Sequence, residues 1–255
     1  MTNANDSALF EYLLRQGDTT LILGHRISEW CGMAPALEED IALANTALDL
    51  VGQTQMWLGL ASEVEGKGRT ADDLAFKRDA WDFHNLLLVE QPNGDFGQTL
   101  MRQFLFDAFN LLNLGALENS ANERIAEIAA KSVKEATYHL ERSRETVVAL
   151  GDGTEESNRR MQTALALLWP YAGEMFVEDA VDTMLAEDGV VPKLADLRPD
   201  WDQTVRDTMA EALLTLPDSD FAHKGGKNGQ RHSEHLGHLL AIMQNLPRSF
   251  PDARW

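Results

Sequence analysis

Cysteine and cationic residues are scarce in this sequence of 255 residues. Its one cysteine, Cys31, cannot form an internal disulfide and has no second thiol nearby for metal or redox chemistry. Lysine and arginine number 22 against 41 acidic residues, so the formal net charge at pH 7 is −19. A field of this sign repels phosphate backbones, and we therefore expect no nucleic-acid partner.

Long apolar runs and the common catalytic motifs are also missing. No stretch approaches the roughly 18 uninterrupted apolar residues of a membrane span, and the first residues lack the basic and apolar regions of a secretory signal. We expect a cytoplasmic protein without a membrane partner. P-loop, dinucleotide-binding and nucleophile-elbow motifs do not occur, which leaves hydrolase and dehydrogenase activities without support.

Apolar residues recur at three- to four-residue spacing in almost every segment between turns. This pattern predicts an all-α fold, a helical bundle with additional C-terminal helices and room for a cofactor at its centre. No repeat or change of composition marks a boundary, so we expect residues 1–255 to form a single domain. The predicted helical regions begin near Ser7, Glu38, Thr70, Asp95, Ser120, Glu155, Trp201 and Arg231.

Three of these regions carry specific boundary predictions. The third is expected to start at Thr70 and to run to Glu90. The fifth is expected to start at a capping box formed by Ser120 and Glu123 and to end at Leu150. The sixth is expected to span residues 155–187 with a kink at Pro170.

A di-iron carboxylate centre in a helical bundle needs a Glu from each of two helices and an E-x-x-H pair from each of the other two. The chain has seven histidines, and none of them follows a glutamate by three residues. The nearest surrogate pairs Asp220 with His223, between a proline and a glycine-rich loop. We therefore predict that this chain has no di-iron site.

Other polar residues are expected to occupy the interior instead. On the second helix an apolar stripe runs beside a polar ladder of Asn45, Asp49 and Gln53; the stripe comprises Ile41, Ala44, Leu48, Val51 and Leu58. The core stripe of the sixth helix continues into Asp179 and Asp182. These acids are expected to pair with a cation of a facing helix, such as Arg102, Lys131, Arg142 or Arg144.

Glu135 and His139, four residues apart on the fifth helix, are expected to share a partly buried hydrogen bond. An alternative remains open at this point. The chain could be an independent di-iron oxidase or an iron-binding protein whose ligands would be Glu135, His139, Asp179 and Asp182.

The loop from His223 to Arg231 concentrates three glycines and three cations, Lys224, Lys227 and Arg231, in front of a helix. Backbone N–H groups of such a loop can receive a phosphate or a carboxylate, for example from coenzyme A or from a partner chain. The alternative is a solvated surface loop. The next residues place His232, His235 and His238 at a spacing that permits a surface metal site, although capping or interface roles are favoured.

Several strings of this sequence resemble the family of subunits designated C in bacterial phenylacetyl-CoA epoxidases, and the resemblance covers essentially the whole chain. The most specific string is LLLVEQPNG at residues 86–94, which helix formation does not require. Further matches are EWCG at 29–32, ALAN at 42–45, KEAxYHL at 134–140, GGK at 225–227 and EHLG at 234–237.

The resemblance implies a ferritin-like fold that carries no metal of its own. It further implies a homologous catalytic oxygenase subunit with the di-iron centre, which epoxidises the ring of phenylacetyl-CoA, together with a reductase and a small additional subunit. This chain would then be a non-catalytic structural subunit in aerobic phenylacetate degradation. The resemblance also implies substrate contacts, with ordinary packing as the alternative, at Asp82, Phe83, His84, Asn85, Thr183, Met184 and Leu185.

Overall fold

The computed structural model describes residues 4–251 and residue 253. Within them the regular structure is helical and no strand occurs, which confirms the all-α prediction. Two 3₁₀ helices cover Ala80–Asp82 and Gly173–Phe176. The α-helices are α1 (Ala4–Ser28), α2 (Leu37–Glu65), α3 (Ala71–Phe76), α4 (Leu87–Glu90), α5 (Phe96–Leu117), α6 (Glu123–Gly151), α7 (Glu155–Ala172), α8 (Ala180–Glu187), α9 (Leu194–Glu211), α10 (Glu234–Met243) and α11 (Asn245–Ser249).

These elements belong to two compact units. The first unit combines Met1–Gln91 with Gly225–Trp255, and the second unit is Pro92–Lys224. The first therefore holds α1 to α4 with α10 and α11, while the second holds α5 to α9. That the chain forms a single domain stays a prediction. Among residues 4–251, none of the helices combines the length and the apolarity that a bilayer span requires.

In the first unit, α1 and α2 pack as an antiparallel pair. Two glycines of α1 lie where α2 approaches closely: a Cβ added to Gly17 would come within 2.7 Å of the Leu58 side chain, and one added to Gly24 within 3.3 Å of Leu50. Between these points the hydroxyls of Thr20 and Thr54 share a hydrogen bond of 2.9 Å. The small residues therefore bring the two helices close enough for polar contact inside an apolar interface.

In the second unit, α5 is the central helix. All residues from Thr99 to Asn110 are buried, including the charged Arg102 and Asp107. It packs against α6, α7 and α9. The indole N–H of Trp201 in α9 donates to the Leu105 carbonyl at 3.1 Å, so a buried aromatic residue fixes α9 on α5.

Two long helices expected from the sequence are broken. The predicted start at Thr70 is confirmed, and Thr70 forms a capping box with Asp73 there, but α3 ends at Phe76 and the chain continues through a 3₁₀ turn to the short α4. Likewise α7 ends at Ala172, two residues beyond Pro170. Asp179 is extended and caps α8 with its side chain, so a new helix starts there. In the second case an acidic cap inside the predicted helix therefore starts a separate element.

Other predicted boundaries shift by smaller amounts. The N-cap of α6 is Asn122, whose side chain accepts from the N–H groups of Arg124 and Ile125, so the predicted capping box at Ser120 is wrong. The Ser120 hydroxyl donates instead to the Val190 carbonyl at 2.6 Å. The last two predicted regions begin elsewhere, with α9 starting seven residues earlier and α10 three residues later.

The apolar stripe predicted for the interior on α2 faces outward for most of its length. Ile41, Leu48 and Val51 are exposed, and so is Asn45 from the predicted polar ladder, whereas Gln53 is buried. The buried side of α2 is a second apolar stripe at seven-residue spacing, comprising Leu43, Leu50 and Trp57. Because α2 has two apolar stripes, helical periodicity alone could not show which one is buried.

Candidate functional site

The centre of the candidate site in the first unit is Glu90, which follows the apolar run at the end of α4. Its carboxylate is fully buried and has three hydrogen-bonding neighbours. Oε1 accepts from the Asn85 side-chain amide at 2.9 Å and lies 2.6 Å from His232 Nδ1. Oε2 accepts from the Ser233 backbone N–H at 2.6 Å. Glu90 therefore joins the segment before it to residues about 140 positions later in the sequence.

His232 connects the same two segments through both of its ring nitrogens. Besides the contact of Nδ1 with Glu90, its Nε2 lies 3.1 Å from the Phe83 carbonyl oxygen. A carbonyl oxygen can only accept, so Nε2 carries a hydrogen and Nδ1 shares a proton with the carboxylate. With both nitrogens engaged, His232 has no lone pair left for a metal ion. Its role in this structure is to hold the two segments together.

The glycine-rich loop packs directly on the segment around Asn85. A Cβ added to Gly226 would lie 2.6 Å from the Asn85 carbonyl oxygen and 3.0 Å from the Leu87 nitrogen, so only glycine fits. Lys227 beside it is 8% exposed. The solvated-loop alternative is therefore wrong for this part of the loop, whereas Arg231 is exposed. Lys224, the last residue of the second unit, is exposed as well.

A buried ion pair positions the residues just before Asn85. The Asp18 carboxylate in α1 accepts hydrogen bonds from both terminal nitrogens of Arg78, one of them at 3.0 Å. It also accepts a hydrogen bond from the His84 N–H at 2.9 Å. Arg78 donates to the Asp82 carbonyl at 2.7 Å, and its guanidinium lies 4.4 Å from the centroid of the Phe83 ring. The backbone of residues 82–84 is thus held by one guanidinium and one carboxylate.

The four residues implied as substrate contacts in this segment differ in accessibility. Phe83 and Asn85 are fully buried, whereas Asp82 is exposed and His84 is partly exposed. Burial lowers the pKa of His84, although the nearby carboxylates of Asp18 and Glu11 oppose that effect. Only Asp82 and His84 therefore present side chains that a ligand can reach in this structure.

The second set of implied contacts lies on α8, in the second unit. This helix begins with a capping box in which the Asp179 side chain accepts from the N–H of Asp182, and the Asp182 side chain accepts from the N–H of Asp179 at 3.0 Å. Of the three residues Thr183, Met184 and Leu185, the first is exposed, the second is partly exposed and the third is buried. Asp179 and Asp182 therefore cap the helix. The prediction of an interior ion-pair network did not include this role.

The facing sides of α5 and α6 carry a buried polar cluster in the second unit. The Gln103 amide donates to Asp107 Oδ1 at 2.7 Å, and the Ser143 hydroxyl donates to Asp107 Oδ2 at 2.8 Å. Burial raises the pKa of Asp107 to about 6, against the opposing effects of His139, the two hydrogen bonds and Arg142. His139 is 2% exposed. One carboxylate and one imidazole thus lie among amide and hydroxyl groups.

These residues do not fit a di-iron centre. Such a centre needs carboxylates on all four helices and two imidazoles, whereas amides and hydroxyls are poor substitutes for those ligands. Within residues 4–251 and 253, no group of three or more His, Cys, Asp or Glu side chains is arranged to hold a metal ion. That statement covers Glu135, His139, Asp179 and Asp182 as well as His232, His235 and His238.

The sequence interpretation missed four buried charged residues of these clusters: Asp18, Arg78, Glu90 and Asp107. Two of them carry a recognisable signal, because Glu90 ends the run Leu86–Val89 and Asp107 lies inside the apolar stretch 104–109. A carboxylate in such a run must find partners inside the fold. The pairing of Asp18 with Arg78 spans 60 residues, and neither side chain stands out locally.

Comparison with known proteins gives a consistent result. The family model described as "Phenylacetic acid catabolic protein" matches residues 1–255. The 1,2-phenylacetyl-CoA epoxidase subunit designated C of Escherichia coli (strain K12) is 45% identical to this chain over 247 residues, which is 97% of this chain and 99% of that protein. The resemblance stated from the sequence motifs is therefore confirmed. The chain belongs to the phenylacetic acid catabolic protein family, whose members have a ferritin-like helical fold.

Proposed function

We propose that this chain is the non-catalytic structural subunit of a multicomponent phenylacetyl-CoA ring epoxidase in aerobic phenylacetate degradation. It would stabilise a homologous catalytic subunit that carries the di-iron centre and receives electrons from a reductase subunit. The similarity to a protein named as a subunit of such an epoxidase supports the reaction class. The observation that carries the non-catalytic role is the cluster around Asp107, where an amide and a hydroxyl donate to the two oxygens of a buried carboxylate.

The physical reason is that Asp107 already uses its oxygens within the protein. One carboxylate oxygen accepts a hydrogen bond from Gln103 and the other accepts one from Ser143. A site that binds two irons would need several carboxylates in the same space. We therefore place the oxygen chemistry in the partner.

Reconstitution tests this proposal. Purified chain, catalytic subunit and reductase are combined with each component omitted in turn, and turnover of phenylacetyl-CoA is measured together with the iron content of each chain. We expect no turnover and no stoichiometric iron in this chain alone, while circular dichroism shows that it is folded. Full activity without this chain, or two irons bound to it, would overturn the proposal.

We also propose that exposed residues of this chain contact the acyl-CoA ester or its coenzyme A tail. The accessible candidates for contact with the ester are Asp82, His84, Thr183 and Met184, and the cations available for phosphate groups are Lys224 and Arg231. The buried Phe83, Asn85 and Leu185 would hold the backbone of their segments. The buried Lys227 would hold the backbone of the loop. Such phosphate contacts weaken when the positively charged side chain is replaced by a negatively charged one.

The matching experiment measures CoA-ester affinity of the assembled complex. Lys224→Glu and Arg231→Glu are expected to raise the Kd several-fold, whereas Lys193→Glu, an exposed lysine at the start of α9, serves as the control. Lys227→Glu is unsuitable, because it would place a carboxylate at a buried position. An unchanged Kd in both test variants would remove the phosphate contact and leave the structural role untouched.

A further inference from the structure

The outward face of α2 carries a row of apolar side chains that the chain itself leaves in solvent. Four large members are Leu37, Ile41, Leu48 and Val51, which are 71, 54, 69 and 44% exposed. Ala44 lies between them and is partly exposed. We call these five residues the α2 seam.

The area of the seam is comparable to that of the largest apolar patch on a typical monomer, and such patches are often functional. Its exposed apolar area is on the order of 400 to 500 Å², which falls in the range of roughly 300 to 600 Å² for the largest patch on a typical monomer. A standard interface buries about 800 Å² on each partner. The α2 seam could therefore form the apolar core of such an interface, with a polar rim around it.

The spacing of the seam identifies the kind of element that would cover it. Its positions, 37, 41, 44, 48 and 51, are separated alternately by four and three residues. This is the a/d pattern of helices that pack side by side at a crossing angle of about 20°. The seam extends over about 21 Å at 1.5 Å per residue, so its occupant is a helix of at least four turns.

Two glycines extend the same face and favour close approach of another chain. Gly52 and Gly59 follow Leu48 by four and eleven residues in the middle of α2, and a Cβ added to either would meet nothing within 4 Å. Glycine destabilises a helix interior relative to alanine, so a position without neighbours would gain from a side chain. On α1, by contrast, Gly17 and Gly24 are matched by close side chains of α2. The open space at Gly52 and Gly59 leaves room for a partner's backbone or large side chains.

Charge decides between a second copy of this chain and a different partner. The chain has a formal net charge of −19, so self-association would bring two strongly acidic molecules together. The exposed Glu38 lies on one rim of the seam, about a quarter-turn from its midline. This acid is complemented by a lysine or arginine beside the apolar positions of a partner helix, not by another acidic copy.

We infer that the α2 seam is the docking surface for a long amphipathic helix of the homologous catalytic subunit, whose own apolar seam is flanked by basic residues. The inference rests on the proposed function, because that function supplies the identity of the partner. It adds the place of contact and the chemistry of the partner surface: an apolar ridge that packs against residues 37–59, and a cation that faces Glu38.

The test measures the Kd between this chain and the catalytic subunit of the same epoxidase by calorimetry. Leu48→Glu and Ile41→Glu should each raise the Kd at least about tenfold, as expected for a charge placed in the apolar core of an interface. Gly52→Leu should also raise the Kd, while the Tm of the isolated chain stays the same or rises. The matched control is Leu167→Glu, since Leu167 is a 51% exposed leucine on α7.

The outcomes separate the two proposals. If wild-type chain does not bind the catalytic subunit, the proposed function fails. If wild-type chain binds and the variants at Leu48, Ile41 and Gly52 bind equally well, the docking surface is refuted and the proposed function stands. Sedimentation of the isolated chain tests whether a second copy of the chain occupies the seam. A homodimer that Leu48→Glu dissociates, with binding to the catalytic subunit unchanged, would assign the seam to a second copy and overturn the inference.

Discussion

Asp107 is a buried carboxylate whose ionisation works against folding. Burial raises its pKa to about 6 from an ordinary value of 3.8. Because the pKa is higher in the folded state, the folded protein binds more protons than the unfolded chain between these two values. The penalty is therefore absent below pH 3.8 and complete above pH 6, so stability falls as the pH rises through that window.

The pKa difference corresponds to about 3 kcal/mol at pH 8, and about half of this penalty is still absent at pH 5. Asp107→Asn removes the ionisation and can keep the local hydrogen bonds. Its amide oxygen can accept from Gln103, and its amide nitrogen can donate to the hydroxyl of Ser143, which turns to donate to the Leu140 carbonyl. We expect the variant to gain about 1 to 3 kcal/mol at pH 8, with a smaller gain at pH 5.

Urea unfolding at pH 5 and pH 8 measures this effect. The informative quantity is the difference between variant and wild type at each pH, since every other titrating group is then shared. Glu145→Gln, at an exposed position of α6, is the control and should change stability by less than about 0.5 kcal/mol. If the Asp107→Asn variant is less stable than wild type at pH 8, with no pH dependence in the difference, the reasoning is refuted. Such a result would show that His139 and Arg142 stabilise the carboxylate more than burial penalises it.

Two further predictions concern the first unit. Gly226→Ala should lower the Tm markedly in a thermal melt, because the added Cβ would overlap a backbone carbonyl. The control is Gly237→Ala, where nothing lies within 4 Å of the added Cβ, and it should leave the Tm unchanged or raise it. Equal shifts of the Tm in the two variants would disprove the close packing of the loop. Asp18→Asn should cost about 3 to 5 kcal/mol in urea unfolding, because it leaves the buried charge of Arg78 without its carboxylate, and a loss below about 1 kcal/mol would contradict that account.

The helices that the sequence predicted best are those with chemical signals at their own ends. For α5, the predicted start at Asp95 is confirmed, because Asp95 is the N-cap and its side chain accepts from the N–H of Gln98. The third and sixth regions are predicted as long helices because their apolar spacing continues across the breaks. In the sixth region the break is marked by the side-chain cap of Asp179, which helical periodicity does not contain.

The candidate site was predictable only in part, for a related reason. The motif strings contained residues on both sides of it, among them Glu90 and Gly226. Their association depends on contacts between segments about 140 residues apart, such as that of Glu90 with Ser233. Spacing within a helix reports neighbours three or four residues away and gives no information on such distant pairs.

The interior of the α5–α6 pair and the outer face of α2 bear on the proposed function by independent routes. In the interior, an amide and a hydroxyl donate to the carboxylate of Asp107. On the surface, apolar side chains of α2 remain in solvent. The first feature agrees with the proposed absence of iron chemistry from this chain, and the second agrees with the proposed docking of another chain. Measuring iron content and partner affinity on the same preparation therefore tests each half of that conclusion separately.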